Sequence, residues 1–323
     1  MVYETGSSAL TGLTEAFLID EQTKQSILEN DPKAAEIIKP FLQGRDLTKY
    51  KTIIPNSYLI LFEKGNTNKK IVNETEAENW LPSNYPSIYN WLKPFEERGK
   101  KRGDKGDYWW ELRACDYYQK FMEPKIMYQS FQVKPCFIYD EQGLYCNNSM
   151  WFIPTENKAL LGVLNSKMGW WLITKYCTQI QNGYQLIWKY FGQIPIPNLV
   201  SSKLTELVDK MLLLTKNQQT KTSNFIKYLK SQFAIEKLSR KLENWYVLNF
   251  SDFIKELNKA IKKTGGEKLS KSDEMDWMEV FENKKSEAQT VKSEIEKTDK
   301  EIDQIVYELY GLTEEEIKIV ESN

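Results

Sequence analysis

The placement of proline constrains this chain more than any other feature. All 11 prolines of the 323-residue sequence lie before residue 198, and residues 199–323 contain none. Proline removes a backbone donor and breaks helix interiors, so a proline-free run of this length is open to long helices. Ile194-Pro195-Ile196-Pro197 closes the region before it, because alternating prolines continue neither a helix nor a central strand. Beyond it, Leu204, Leu207, Val208, Met211 and Leu212 recur at helical spacing, and Phe225, Tyr228, Leu229 and Phe233 continue the pattern. Gly265-Gly266 marks the main break, and Ile295, Ile302, Ile305, Val306 and Leu309 form a further stripe. Gly311 stops that helix, and Thr313 with Glu316 forms a capping box for a short last one. The expected division is therefore a mixed domain over residues 1–198 and an all-helical region over residues 199–323.

The first region alternates between strand and helix signals. The apolar run 16–19 reads as a strand-forming entry, and residues 20–31 as a turn and short helix. Asp31-Pro32 is expected to open a second helix, with Ile37, Ile38 and Phe41 facing the core and Gly44 ending it. Residues 58–62 (YLILF) read as a buried strand, and residues 86–95 as a helix with Ile88, Trp91, Leu92 and Phe95 on one face. Further strands are expected at 125–131, 136–139 and 150–153, with a hairpin turn at 140–143 (DEQG). Residues 157–173 read as one apolar helix docked on the sheet, and residues 179–185 (QIQNGYQ) as a polar, flexible loop. The class is α+β: a mixed β-sheet domain with docked helices, followed by an all-helical C-terminal region.

Composition excludes several kinds of chemistry. The chain has no histidine, which removes every triad built on Ser-His or Cys-His and the usual mixed zinc site. Cys115, Cys136, Cys146 and Cys177 show no C-x-x-C spacing and read as reduced, mostly buried thiols. Neither a G-x-x-x-x-G-K-[ST] phosphate loop nor a G-x-G-x-x-G fingerprint occurs. Net charge is −1, so any basic surface must come from sorting charge by face. Mean hydropathy is −0.57, no apolar run approaches the roughly 20 residues needed to span a bilayer, and the first residues lack the pattern of a secretory signal. A cytoplasmic protein without membrane association is the expectation.

The richest stretch is 107–134. It interleaves Tyr108, Trp109, Trp110, Tyr117, Tyr118, Phe121, Tyr128 and Phe131 with Arg113, Lys120, Lys125, Gln129, Gln132 and Lys134, directly after the basic, glycine-broken run 97–106 (ERGKKRGDKG). Such a mixture suits a surface that grips phosphates and reads base edges. It equally suits a core strand with a solvated loop beside it.

Seven segments in order then carry a resemblance: TGLTEAFLID (11–20), IIKPFLQGRDLTKY (37–50), YWWELRAC (108–115), KIMYQ (125–129), LLGVLNSKM (160–168), IPIPNL (194–199) and EIDQIVYELYGLTEEEI (301–317). Together they resemble the TaqI-like C-terminal specificity domain of type IIG restriction–modification enzymes and related adenine-specific DNA methyltransferases. The resemblance covers nearly the whole chain. The family's methyl-donor glycine motif, its Asn/Asp-Pro-Pro-Tyr/Phe motif and a Pro-Asp…Glu-x-Lys nuclease centre do not occur in it. The resemblance implies the target-recognition part alone, binding double-stranded DNA beside a methyltransferase or endonuclease domain or subunit. No cofactor is expected in these residues; S-adenosylmethionine and magnesium are expected only for the missing catalytic domains.

On that reading the candidate readers are Arg98, Lys101, Arg102 and Lys105 in the basic loop, then Gln129, Gln132 and Lys134, then Gln181, Asn182, Tyr184 and Gln185 in the second polar loop. Arg113 stands between a core ion pair and a phosphate contact, and Arg45 reads as structural, paired to a carboxylate. The aromatics 109, 110, 117, 118 and 121 read as core rather than as a stacking platform. Two other readings stay open: a helical interaction subunit that binds a methyltransferase partner without reading DNA, and an enzyme with a carboxylate metal site from Asp104, Asp107, Glu111 and Asp116.

Overall fold

The computed structural model of the protein describes residues 11–42, 47–71, 73, 76–198 and 202–322. Arg45 lies outside them. The chain divides into two compact units, Met1–Val200 with Tyr310–Asn323, and Ser201–Leu309.

The strands of the first unit are β1 (Leu18–Asp20), β2 (Ile38–Leu42), β3 (Ser57–Ile60), β4 (Lys125–Gln129), β5 (Phe131–Gln132), β6 (Phe137–Asp140), β7 (Tyr145–Cys146), β8 (Met150–Pro154), β9 (Thr178–Ile180) and β10 (Gly183–Gln185). They form three sheets, ordered β1-β3-β2-β7, β6-β4-β8 and β5-β10-β9. All pairings are antiparallel except β2 with β7. The first two sheets share one core, in which Phe121 stacks on Tyr145 at 4.4 Å and lies 4.7 Å from Phe152.

Two expected helices take another form. Pro32–Glu36 makes only a 3-10 turn, and Ile38–Leu42 is a strand. Pro40 explains the change, since it lacks the N–H that a helix interior needs. As a strand it pairs with Tyr58, and β7 joins only at Phe41 and Leu42, where the proline is already past. The single apolar helix expected over 157–173 is two, Lys158–Asn165 and Lys167–Tyr176. Ser166 caps the second by accepting from the Gly169 N–H at 3.0 Å. The sharp turn presses Gly169 onto the first helix so closely that a β-carbon there would lie 2.0 Å from the Val163 carbonyl oxygen. Asn165, buried at that junction, accepts from the Phe137 N–H and donates to the Phe137 carbonyl, both at 3.0 Å, along the outer side of β6.

At one end of the β4–β6 ladder, the opposed residues Lys125 and Asp140 form an ion pair at 2.5 Å with both side chains wholly buried. Asp140 also accepts from the N–H groups of Gln142 and Leu144, each at 2.9 Å, and Lys125 donates to the Phe121 carbonyl. A buried charge needs such complete pairing. Burial pushes the Lys125 ammonium down from its usual value.

The second unit is helical throughout its described elements, Ser202–Phe233, Arg240–Glu243, Phe250–Lys263 and Lys271–Tyr310, with a short 3-10 turn at Trp245–Val247. Its core stacks Phe253 on Phe281 at 4.5 Å and sets Phe225 4.2 Å from Trp245. The capping box at Thr313 and Glu316 is present, opening the helix Glu314–Glu321. That helix belongs with the first unit, unlike the undivided region expected over 199–323: Lys167 pairs with Glu321 at 2.8 Å, and the Tyr310 hydroxyl donates to the Pro195 carbonyl at 2.7 Å. Among the described residues no helix is long and apolar enough to cross a membrane.

Candidate nucleic-acid interface

The sequence candidates separate into two groups. The first surrounds Arg102. The basic run expected as a loop starts as a helix, Glu96–Lys101, drawn into that form by Glu96, whose carboxylate pairs with Lys93 at 2.5 Å and Lys100 at 2.7 Å. Past it the chain turns back, and Arg102 is buried at 8% exposure. Its guanidinium donates to the carbonyls of Asp104 at 3.0 Å and Trp109 at 3.1 Å, and also to those of Thr11 and Glu111. It lies over the Phe17 ring, 4.3 Å from the centroid, and burial pushes it down to about 10. Arg102 is therefore a clamp on four backbone carbonyls rather than a reader of DNA: both terminal nitrogens already have their acceptors, Nε is buried without a partner, and the charge does not reach the surface.

Glu111 completes the clamp from the opposite side. Its buried carboxylate accepts from the N–H groups of Gly65 at 3.1 Å, Thr67 at 2.9 Å and Asp107 at 2.9 Å. Trp110 is buried beside it, stacked on Tyr108 at 4.9 Å and donating to the Thr67 hydroxyl at 3.0 Å. The aromatic segment thus packs as core. Around this clamp, Arg98 pairs with Glu15, Arg113 pairs with Asp104 at 3.5 Å, and Lys105 donates to the Lys100 carbonyl at 2.7 Å, all at the surface. Lys101 is exposed. Asp104 and Glu111 are engaged in this way, and among the described residues no three His, Cys, Asp or Glu side chains are placed to hold a metal ion.

The second group is drawn together by the small sheet. Residues 179–185, read as a flexible loop, form the β9–β10 hairpin, and β10 pairs with β5. Gln129, Gln132 and Lys134 therefore sit beside Gln181, Asn182, Tyr184 and Gln185, although some fifty residues separate the two runs. The register sorts the side chains, because directly opposed residues share a face. Gln132, Tyr184 and Gln179 are in one row, and Phe131, Gln185 and Thr178 are in the other.

The first row faces the body. Tyr184 meets Trp170 edge-on at 5.7 Å. Gln132 is buried, accepting from the Cys136 N–H at 3.0 Å and donating to the Gln129 carbonyl at 3.3 Å, so it fixes a turn and is not available to DNA. The second row is the outer one. Residues 178–182 are exposed without interruption, and so are Phe131 and Lys134. Gly183 lets the hairpin cross β5 closely, since a β-carbon there would lie 2.6 Å from the Gln132 carbonyl oxygen and 2.6 Å from the Phe131 ring. Gln181 adopts φ +52° at the tip.

The buried polar groups of this unit thus hold its own backbone, while exposed polar side chains stand on a β-ribbon. Residues 39–196 match the TaqI-like C-terminal specificity domain, the family whose segments the sequence resembles. Residues 198–306 match a domain of unknown function, DUF8810. The chain is also similar to two solved structures. One is the type IIL restriction-modification enzyme MmeI in complex with DNA, at 11% identity and a TM-score of 0.40, over 90% of this chain and 36% of that one. The other is the type IIG restriction endonuclease BpuSI, at 11% identity and a TM-score of 0.38, over 95% of this chain and 30% of that one. The chain thus spans about a third of the length of each. No curated protein matches it.

Proposed function

We propose that this chain binds double-stranded DNA sequence-specifically, as the target-recognition part of a type II restriction–modification enzyme or adenine-specific DNA methyltransferase. The observation that carries the reading is the specificity-domain match over 39–196, a segment that contains the whole β5-β10-β9 ribbon. Physical chemistry supports the same choice. A β-ribbon is one of the few elements that fit the major groove, and amide side chains are suited to base edges. Exposed Lys134 at the ribbon's margin and Lys101 on the helix Glu96–Lys101 supply charge for phosphates, which positions a protein without specifying sequence.

In this reading the chemistry belongs to a methyltransferase or endonuclease domain or subunit, and S-adenosylmethionine and magnesium are held there. The setting is the cytoplasm of a bacterium defending itself against foreign DNA. The test is selection of duplexes from a random pool by the full chain at low salt, followed by salt titration of the winners. A short enriched motif is expected, and Lys134→Ala lowers the slope of log affinity against log salt by about 1. Failure to retain any duplex at any salt overturns the reading.

A further inference from the structure

Resting on that DNA reading, we infer that the β9–β10 hairpin reads A·T base pairs through the major groove, using Gln181, Asn182 and Gln185 as adenine readers and Ile180 with Thr178 as thymine-methyl contacts. The argument begins with exposure. A strand normally hides one face, yet all of β9 and both turn residues are exposed. Ile180, an apolar side chain, is left 40% exposed there. No burial requirement explains this segment. What holds it is the ladder to β10 and, through it, to β5, extended by the Leu186 N–H donating to the Ser130 carbonyl at 2.8 Å.

The chemical inventory of the exposed row is narrow. On the hairpin, the outer face and tip carry three amides, one hydroxyl and two methyl-bearing side chains: Gln181, Asn182, the half-buried Gln185, Thr178 and Ile180, with the Phe131 ring of β5 beside them. The ribbon holds no carboxylate and no arginine, and residues 114–239 contain no arginine at all. Guanine is read best by arginine or lysine donating to O6 and N7, and cytosine by a carboxylate accepting from N4. Amides instead match the donor–acceptor pair at adenine N6 and N7, and methyl groups pack on the C5-methyl of thymine. The described arginines of the first unit are committed elsewhere: Arg102 to four carbonyls, Arg98 to Glu15 and Arg113 to Asp104. Lys134, at the ribbon's margin, is assigned to phosphate, so by donor type the hairpin itself selects A·T pairs.

The experiment uses the full chain and the duplex motif obtained by pool selection. Each specified A·T pair is rebuilt with 7-deazaadenine, which removes the N7 acceptor, or with uracil, which removes the methyl group. Expected is a loss of about 5- to 100-fold in affinity on 7-deazaadenine at one or more pairs, a smaller loss on uracil, and relaxed preference at the same pairs in Asn182→Ala or Gln181→Ala. Because the base analogues act on the unaltered protein, the outcome does not depend on how the variants fold. A motif specified only at G·C pairs overturns the inference and leaves DNA recognition standing. So do A·T positions indifferent to 7-deazaadenine, and so does uniform retention of all sequences, which marks phosphate contacts alone. Retention of no duplex overturns the DNA reading itself, and this inference with it.

Discussion

Arg102→Met separates a structural arginine from a reading one. Methionine fills a similar tunnel but donates nothing, so the carbonyls of Thr11, Asp104, Trp109 and Glu111 lose this partner together. The Glu111 carbonyl keeps the Gly106 N–H at 3.0 Å, so three acceptors are left unmatched, and at about 1.3 kcal/mol each the gross loss is about 4 kcal/mol. Removing a buried charge returns part of that, because the guanidinium no longer has to be desolvated, which leaves a net loss of about 3 kcal/mol. With a urea slope of about 2–3 kcal/mol per molar, the unfolding midpoint followed by tryptophan fluorescence falls by about 1 M. The salt slope of DNA binding by the folded variant stays at the wild-type value, since no phosphate contact has gone. A midpoint shift below about 0.2 M, accompanied by lost DNA affinity, refutes the clamp and returns Arg102 to the interface.

Three further outcomes follow from the structure. Ala234 sits at φ +48° just past the helix Ser202–Phe233, with the Ile235 N–H bonded back to the Lys230 carbonyl at 3.2 Å, so Ala234→Gly raises stability by about 1 kcal/mol in urea unfolding. The ammonium groups of Lys221 and then Lys284 hold the Glu287 carboxyl at about 2, below its ordinary 4.5. Its contribution is complete above about pH 4.5 and fades as the pH falls toward about 2, so Glu287→Gln flattens the pH dependence of unfolding in that window and leaves it unchanged above. Burial pushes the thiols of Cys136 and Cys177 up to about 11 and that of Cys146 to about 12, while Cys115 is only half-buried. Mass-resolved alkylation of the native chain therefore labels Cys115 first, and the other three react only on unfolding.

Where a local signal sufficed, the sequence was legible. The strand at 58–62, the helix from Pro86 and the box at Thr313 and Glu316 each depend on neighbours a few residues away. Ile37, Ile38 and Phe41 misled because three apolar residues at that spacing fit a helical face and a strand alike, and Pro40 was the discriminating residue. The hairpin at 178–185 was hidden for the opposite reason: its first strand and turn are exposed throughout, so it shows no apolar alternation. Arg102 looks in sequence like its basic neighbours. What distinguishes it is a carbonyl 91 residues away, at Thr11, and no pattern over a short window reports such a partner.

The amide of Asn165 has a consequence for how this protein behaves in a crowded solution. Strand borders with unpaired polar groups invite other chains to add on, the first step toward swapping and fibre growth. By meeting both the N–H and the carbonyl of Phe137, one side chain imitates a neighbouring strand one residue long, and the Tyr50 N–H reaches the same carbonyl at 3.0 Å. At Phe137 the border is closed by an asparagine that offers nothing for a further chain to extend. An aspartate there faces the Phe137 carbonyl with a second acceptor, reopens the seam and makes the module prone to self-association.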